Sequence, residues 1–274
     1  MLTQRIVTAL LLGPIFFLAI WLGTYTSTGV VFCGLALFFL YEYLHIIDTC
    51  PGREGMAWRQ VAIYCLIGIC PGVLSLWMGC PVPFWGWIYW YLIGNSIILL
   101  CRYGALEVPW VHLALTSFGH IYVGLFLYSI LSIAGMDHSN IFLIYLFVCV
   151  FSGDIAAYFG GKTMGRHPLC PGISPKKTVE GALFGLLATT ILGTLYMRMV
   201  FHGIGVGGAL VISMILGASA QLGDILESIM KRTFHVKDSG GFLPGHGGFL
   251  DRFDGVILAT PCLLLILQDH RWVM

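Results

Sequence analysis

The sequence predicts an all-α polytopic membrane protein of about nine transmembrane helices, with the N-terminus cytoplasmic and the C-terminus on the opposite side. Three observations carry this. The chain of 274 residues is 58% hydrophobic and has a mean hydropathy of +0.89. Only 10% of its residues are charged, against about 25% in a soluble domain. Its apolar runs are about 20 residues long, enough to cross a hydrocarbon core of about 30 Å, and they are continuous rather than alternating, which argues against a β-barrel.

Taken in order, the predicted spans are 5–23, 28–47, 60–79, 84–101, 110–134, 141–160, 179–202, 206–230 and 255–270. The first begins "MLTQRIVTALLLGPIFFLAIWLG". It lacks a small-residue cleavage site and more spans follow, so it is read as a membrane helix rather than a signal peptide. The turn between the third and fourth is the short "GCPVP". The run "FWGWIYWYL" in the fourth is expected to face lipid and interface. Asn95 and His120, inside spans, are expected to be packing groups that bond across helices. The nine cysteines are scattered without a C-x-x-C pair, which argues against a disulfide framework or a zinc site. The spans divide into an N-terminal set, 1–140, and a functional C-terminal region, 141–274.

Orientation follows from the basic residues. With the N-terminus inside, Arg5, Arg53, Arg59, Arg102, Lys162, Arg166, Lys176, Lys177, Lys231, Arg232, Lys237 and Arg252 are cytoplasmic, and Arg198 and Arg271 are not. Twelve against two is a strong positive-inside bias. It places the loops 161–178 and 231–254 on the same face.

Acidic groups at membrane depth are costly and mark function. Asp154 lies in "VFSGDIAAYFGG". Asp224 and Glu227, three apart in "QLGDILESIMKR", share one helix face, and Lys231 continues it. Asp251 and Asp254 are three apart in "FLDRFDG". Such carboxylates repel one another unless a hard cation joins them, and Mg²⁺ typically takes one or two carboxylates plus substrate phosphates. The plainer alternative is interfacial charges paired with Lys231, Arg232 and Arg252. The segment "SPKKT" (174–178) offers Ser174, Lys176, Lys177, Thr178 and free backbone N–H groups at the start of a helix, a combination suited to a polyphosphate. Lys176 and Lys177 serve equally as topology anchors on anionic headgroups. "GGKT" at 160–163 is not a P-loop, because the required upstream glycine is Ala156. In "PGHGGFLDRFD", Gly247 and Gly248 let backbone approach a ligand beside His246.

The stretch "SIMKRTFHVKDSGGFLPGHGGFLDRFD" resembles the signature of the phosphatidate cytidylyltransferases, or CDP-diglyceride synthases. Its anchors are Ser228, Lys231, Arg232, Lys237, Asp238, Pro244, His246, Gly247, Gly248, Asp251, Arg252 and Asp254. "GDILES" and "SGDIAAYFGGKTMGRH…SPKKTVEG" are also similar, so the resemblance covers about residues 141–260. It implies transfer of a cytidylyl group from CTP to phosphatidic acid, with Mg²⁺ and room for a second, monovalent cation. It implies membrane lipid as surroundings, a homodimer and no nucleic-acid partner. It implies a bacterial inner membrane and an active site facing the cytoplasm.

On this resemblance Asp224, Asp251, Asp254, Asp154 and Glu227 are candidate metal ligands. Lys231, Arg232, Lys237, Asp238 and His246 are candidate catalytic groups. Ser174, Lys176, Lys177, Thr178, Ser228, Gly247, Gly248 and Arg252 are candidate CTP and phosphate contacts. A CTP-dependent lipid-alcohol kinase, an ether-lipid cytidylyltransferase and, from another class, a membrane transporter are the alternatives. A transporter predicts repeat-related polar sites near the midplane, whereas these groups gather on one face.

Overall fold

The computed structural model describes residues 18, 20–21, 24–48, 58–105, 108–200, 204–241 and 247–269. They form eight α-helices: α1 (Tyr25–Asp48), α2 (Trp58–Met78), α3 (Phe84–Arg102), α4 (Pro109–Ala134), α5 (Ser139–Met164), α6 (Val179–Val200), α7 (Val206–Thr233) and α8 (Leu250–Gln268). A 3₁₀ turn follows α3 at Tyr103–Ala105. The first seven helices are each long and apolar enough to cross a membrane, and the chain is a multi-pass integral membrane protein. The eighth carries Asp251, Arg252 and Asp254 in its first two turns. The predicted span 5–23 lies largely outside the described residues.

Between α5 and α6 the chain makes a two-stranded antiparallel hairpin, β1 (Pro168–Cys170) and β2 (Ser174–Thr178). Pro168 pairs with Thr178 and Cys170 with Ser174, with a bulge between. The sequence "SPKKT" suggests free backbone N–H groups. The hairpin instead engages part of that backbone, because the turn at 171–173 folds one short segment onto the other.

The helices group into two compact units, residues 1–137 with 234–252, and residues 138–233 with 253–274. In the first unit, α1 packs on α2 and α4, and α3 on α4. The α1 residues Phe32, Phe39, Leu40 and Tyr43 are buried, as are Phe126, Leu127 and Ile130 of α4. Phe126 meets Phe32 edge-on and lies tilted on Phe39, with ring centres 5.9 and 5.6 Å apart. Ser75 ties the "GCPVP" turn: its hydroxyl donates to Pro71 O at 2.8 Å and accepts from Val82 N at 2.9 Å.

Asn95 and His120 bond across helices, as expected. Asn95 Nδ2 bonds His120 Nδ1 at 2.9 Å, His120 Nε2 bonds Tyr64 O at 2.8 Å, and Tyr64 hydroxyl bonds His112 Nε2 at 2.6 Å. The aromatic run departs from expectation. Trp85 and Tyr89 are exposed, but Trp87 and Tyr91 are buried. Helical periodicity puts Trp87, Tyr91 and Asn95 on one inward face, where Trp87 Nε1 donates to Val82 O and Tyr91 hydroxyl to Gly68 O.

The second unit is built on small residues. With lipid outside, helix association depends on close backbone approach rather than on burial of oil. A Cβ on Gly181 of α6 would lie 2.8 Å from Ala157 O of α5, and one on Gly185 would lie 2.9 Å from Gly153 O. Tyr145 hydroxyl bonds Ser213 Oγ at 2.7 Å, joining α5 to α7, and Gln221 Nε2 of α7 donates to Ala182 O of α6 at 2.9 Å. Among the described residues every cysteine is a free thiol.

Candidate active site

In the second unit the predicted residues converge. Lys177 leaves strand β2 and reaches α7, where its ammonium meets Asp224 at 2.6 Å and Ser228 Oγ at 3.3 Å. Asp224 also lies within electrostatic reach of Asp154 on α5 and within hydrogen-bond reach of Asp254 on α8. The last contact has a local cause. Gly223 packs directly on α8, and a Cβ there would lie 2.5 Å from Asp254 O. One turn on, Lys231 Nζ donates to the buried Glu227 at 2.9 Å. The two are an i, i+4 pair on one helix face. Arg232 Nε donates to Ile173 O at 3.1 Å and so pins the hairpin turn to α7.

The hairpin is fixed from its other end as well. Thr178 Oγ1 accepts from Gly181 N at 3.2 Å and caps α6. Glu180, in the first turn of α6, accepts from Arg166 N at 3.0 Å, His167 N at 3.2 Å and His167 Nδ1 at 2.5 Å. Its place in the first turn also makes a favourable contact with the helix dipole. The structure makes it the clamp that closes the hairpin's base. Ser174 pairs with Cys170 in the hairpin, and Lys176 is exposed.

The signature residues of the first unit have a different arrangement. Asp251 Oδ2 accepts from Ser239 N and Gly248 N, both at 2.9 Å. This ties Ser239 and Gly248 to the first turn of α8. Gly247 has φ +80, the left-handed region that favours glycine, and a Cβ there would meet Asp251 Oδ2 at 2.8 Å. Lys237, Asp238 and Arg252 are exposed. His246 and Pro244 lie outside the described residues.

Sequence reasoning missed Glu42. It lies in the apolar run of α1, is 1% exposed, and accepts from Ser239 Oγ at 3.0 Å, Phe249 N at 2.9 Å and Leu250 N at 2.8 Å. The signal was present, since an ionisable residue inside a membrane span marks function by default. A cleft of about 390 Å³ opens beside it, lined by Tyr41, His45, Val236, Asp238 and Gly241 among others.

Among the described residues no group of three or more His, Cys, Asp or Glu is arranged to hold a metal by itself. Asp224 and Asp254 give two adjoining carboxylates. That donor set fits an ion that takes one or two carboxylates and fills its remaining positions with phosphate oxygens and water, as Mg²⁺ does.

The fold and these groups define a polytopic membrane protein with acidic and basic side chains gathered at helix ends. A family model described as the cytidylyltransferase family matches residues 3–269, and the chain belongs to that family. Among its relatives, the phosphatidate cytidylyltransferase of Brucella suis biovar 1 (strain 1330) is 34% identical over 273 residues, 96% of this chain and 92% of that protein. That of Bacillus subtilis (strain 168) is 37% identical over 181 residues, 63% of this chain and 65% of the relative. That of Staphylococcus saprophyticus is 45% identical over 126 residues, 46% of this chain and 48% of the relative. The match thus spans about half of the Staphylococcus protein, just under two thirds of the Bacillus one and nearly all of the Brucella one.

Proposed function

We propose that this protein transfers the cytidylyl group of CTP to phosphatidic acid, forming CDP-diacylglycerol and pyrophosphate in phospholipid biosynthesis. The observation that carries the reading is the junction of Lys177 with Asp224 and Ser228. It ties the candidate phosphate-binding segment 174–178 to an acidic helix face within one compact unit. Family membership and the relatives named above support the same reading.

The chemistry suits these residues. The lipid phosphate is already anionic near neutral pH. One of its oxygens attacks the α-phosphorus of CTP, the bond from that phosphorus to the bridging oxygen breaks, and pyrophosphate leaves with the electron pair. No side chain need remove a proton from the nucleophile. The barrier is the approach of an anion to a polyanion, so catalysis is positioning and charge neutralisation. Lys177 and Lys231 supply point charges for phosphate oxygens. Asp224 and Asp254 would hold Mg²⁺, with Asp154 beside them. The ion would neutralise phosphate charge and orient the leaving group. The acyl chains stay in the bilayer while only the headgroup enters the site. The positive-inside bias supports a site on the cytoplasmic side, and a bacterial inner membrane and a homodimer are the proposed setting and assembly.

The test is direct. Purified protein is incubated with labelled CTP and vesicles containing phosphatidic acid. Pyrophosphate and a CDP-lipid are expected. Release of CDP with phosphate on the lipid means a kinase, and no turnover overturns the enzymatic reading. Lys177→Ala is expected to raise the KM for CTP about tenfold or more, the scale of a lost charge-assisted hydrogen bond, while membrane insertion is unchanged. Unaltered CTP kinetics in that variant would leave Lys177 as a topology anchor.

A further inference from the structure

We infer that Glu42 is a positioning residue for the reaction. It holds Ser239, Phe249 and Leu250 on α1 and thereby sets where the first turn of α8, with Asp251, stands. The inference rests on the cytidylyl-transfer reading given above.

Burying a carboxylate is costly unless its lone pairs are met. Among the described residues Glu42 forms no ion pair. Its compensation is local: two backbone N–H groups at the N-terminus of α8, whose dipole favours an anion, and one hydroxyl. Both oxygens are used, Oε1 by Phe249 and Oε2 by Ser239 and Leu250. The fit leaves no room on either side. A Cβ on Gly240 would lie 2.7 Å from Glu42 Oε1, and one on Gly248 would lie 2.5 Å from Oε2 and 2.0 Å from Ser239 Oγ. Ser239 is the shared element. Its hydroxyl donates to Glu42 and accepts from Asp251 N at 3.3 Å, while its own N–H donates to Asp251. Glu42 and Asp251 therefore grip one residue from two sides. A shift of either carboxylate moves the other's partner.

An amide cannot replace this carboxylate. All three partners are donors, and Glu42→Gln would turn an NH₂ toward one of them. The substitution is expected to leave the purified full-length protein folded, with exchange accelerated at the Phe249 and Leu250 amides. It is expected to lower kcat about 100-fold, the scale of a misplacement of about 1 Å, while the KM for CTP changes less than about threefold. Glu42→Asp, which keeps the charge, should recover part of kcat. A scaffold with no bearing on chemistry would instead lower the yield of folded enzyme and leave kcat per folded molecule intact. That outcome overturns the inference, as does unchanged amide exchange. Should Glu42→Gln not fold, Gly240→Ala presses the same carboxylate from outside and is expected to give the same loss in kcat. If wild-type protein forms no CDP-lipid, the functional reading fails. The exchange rates still decide whether Glu42 holds Phe249 and Leu250.

Discussion

Asp224→Asn is expected to lower CDP-lipid formation by about 1,000-fold while the protein still inserts and purifies. Asparagine has the same shape, so α7 and its packing survive. What is lost is one negative charge at the point where three other groups meet it: Lys177 at 2.6 Å, Asp154 and Asp254. Lys177 then loses its counter-ion, and the proposed Mg²⁺ loses one of two adjoining ligands. Preorganised charge of this kind is commonly the largest single contribution to catalysis, with about 100- to 1,000-fold lost for one oriented group. The measurement is the initial rate at saturating CTP with phosphatidic acid in vesicles. Turnover within about threefold of wild type would remove Asp224 from the catalytic machinery.

Gly181→Val is expected to be the most damaging of the single changes to the fold described here. The new Cβ would meet Ala157 O at 2.8 Å and Gly161 Cα at 3.1 Å, and both are backbone. A flexible side chain could turn aside, but a helix backbone cannot, so α5 and α6 must separate. Overpacking of this kind costs about 3 kcal/mol. In a chain of this size that lowers the melting temperature by about 6–12 °C. Gly207→Ala is the control, because nothing lies within 4 Å of its added Cβ. It is expected to melt at or slightly above the wild-type temperature, since alanine suits a helix better than glycine. Equal melting of Gly181→Val and wild type in detergent would refute the packing argument.

The helices were readable because each is written in about 20 consecutive apolar residues. The predicted span 110–134 is observed as Pro109–Ala134, and 206–230 as Val206–Thr233. The acidic face of α7 was readable because Asp224 and Glu227 obey helical spacing, and their meeting with Lys177 followed from sidedness. Three features were not read. The hairpin 168–178 is too short for a period to declare itself, and its pairing depends on Glu180 and Arg232 arriving from α6 and α7. The inward turn of Trp87 and Tyr91 depends on which face of α3 meets α4, which an all-aromatic run does not encode. Glu42 was missed because its partner, Ser239, is 197 residues away in the chain.

That separation also has a consequence for synthesis. Ribosomes add about 5–20 residues per second, so Glu42 is made roughly 10–40 seconds before Ser239, Phe249 and Leu250 exist. For that interval α1 carries a carboxylate with none of its final partners. The nascent helix must keep that group near the headgroups or in the insertion machinery until the chain returns. Strains that slow elongation lengthen this wait, and the slowing should raise degradation of wild-type protein by a larger factor than that of Glu42→Ala, which has no such group to shelter.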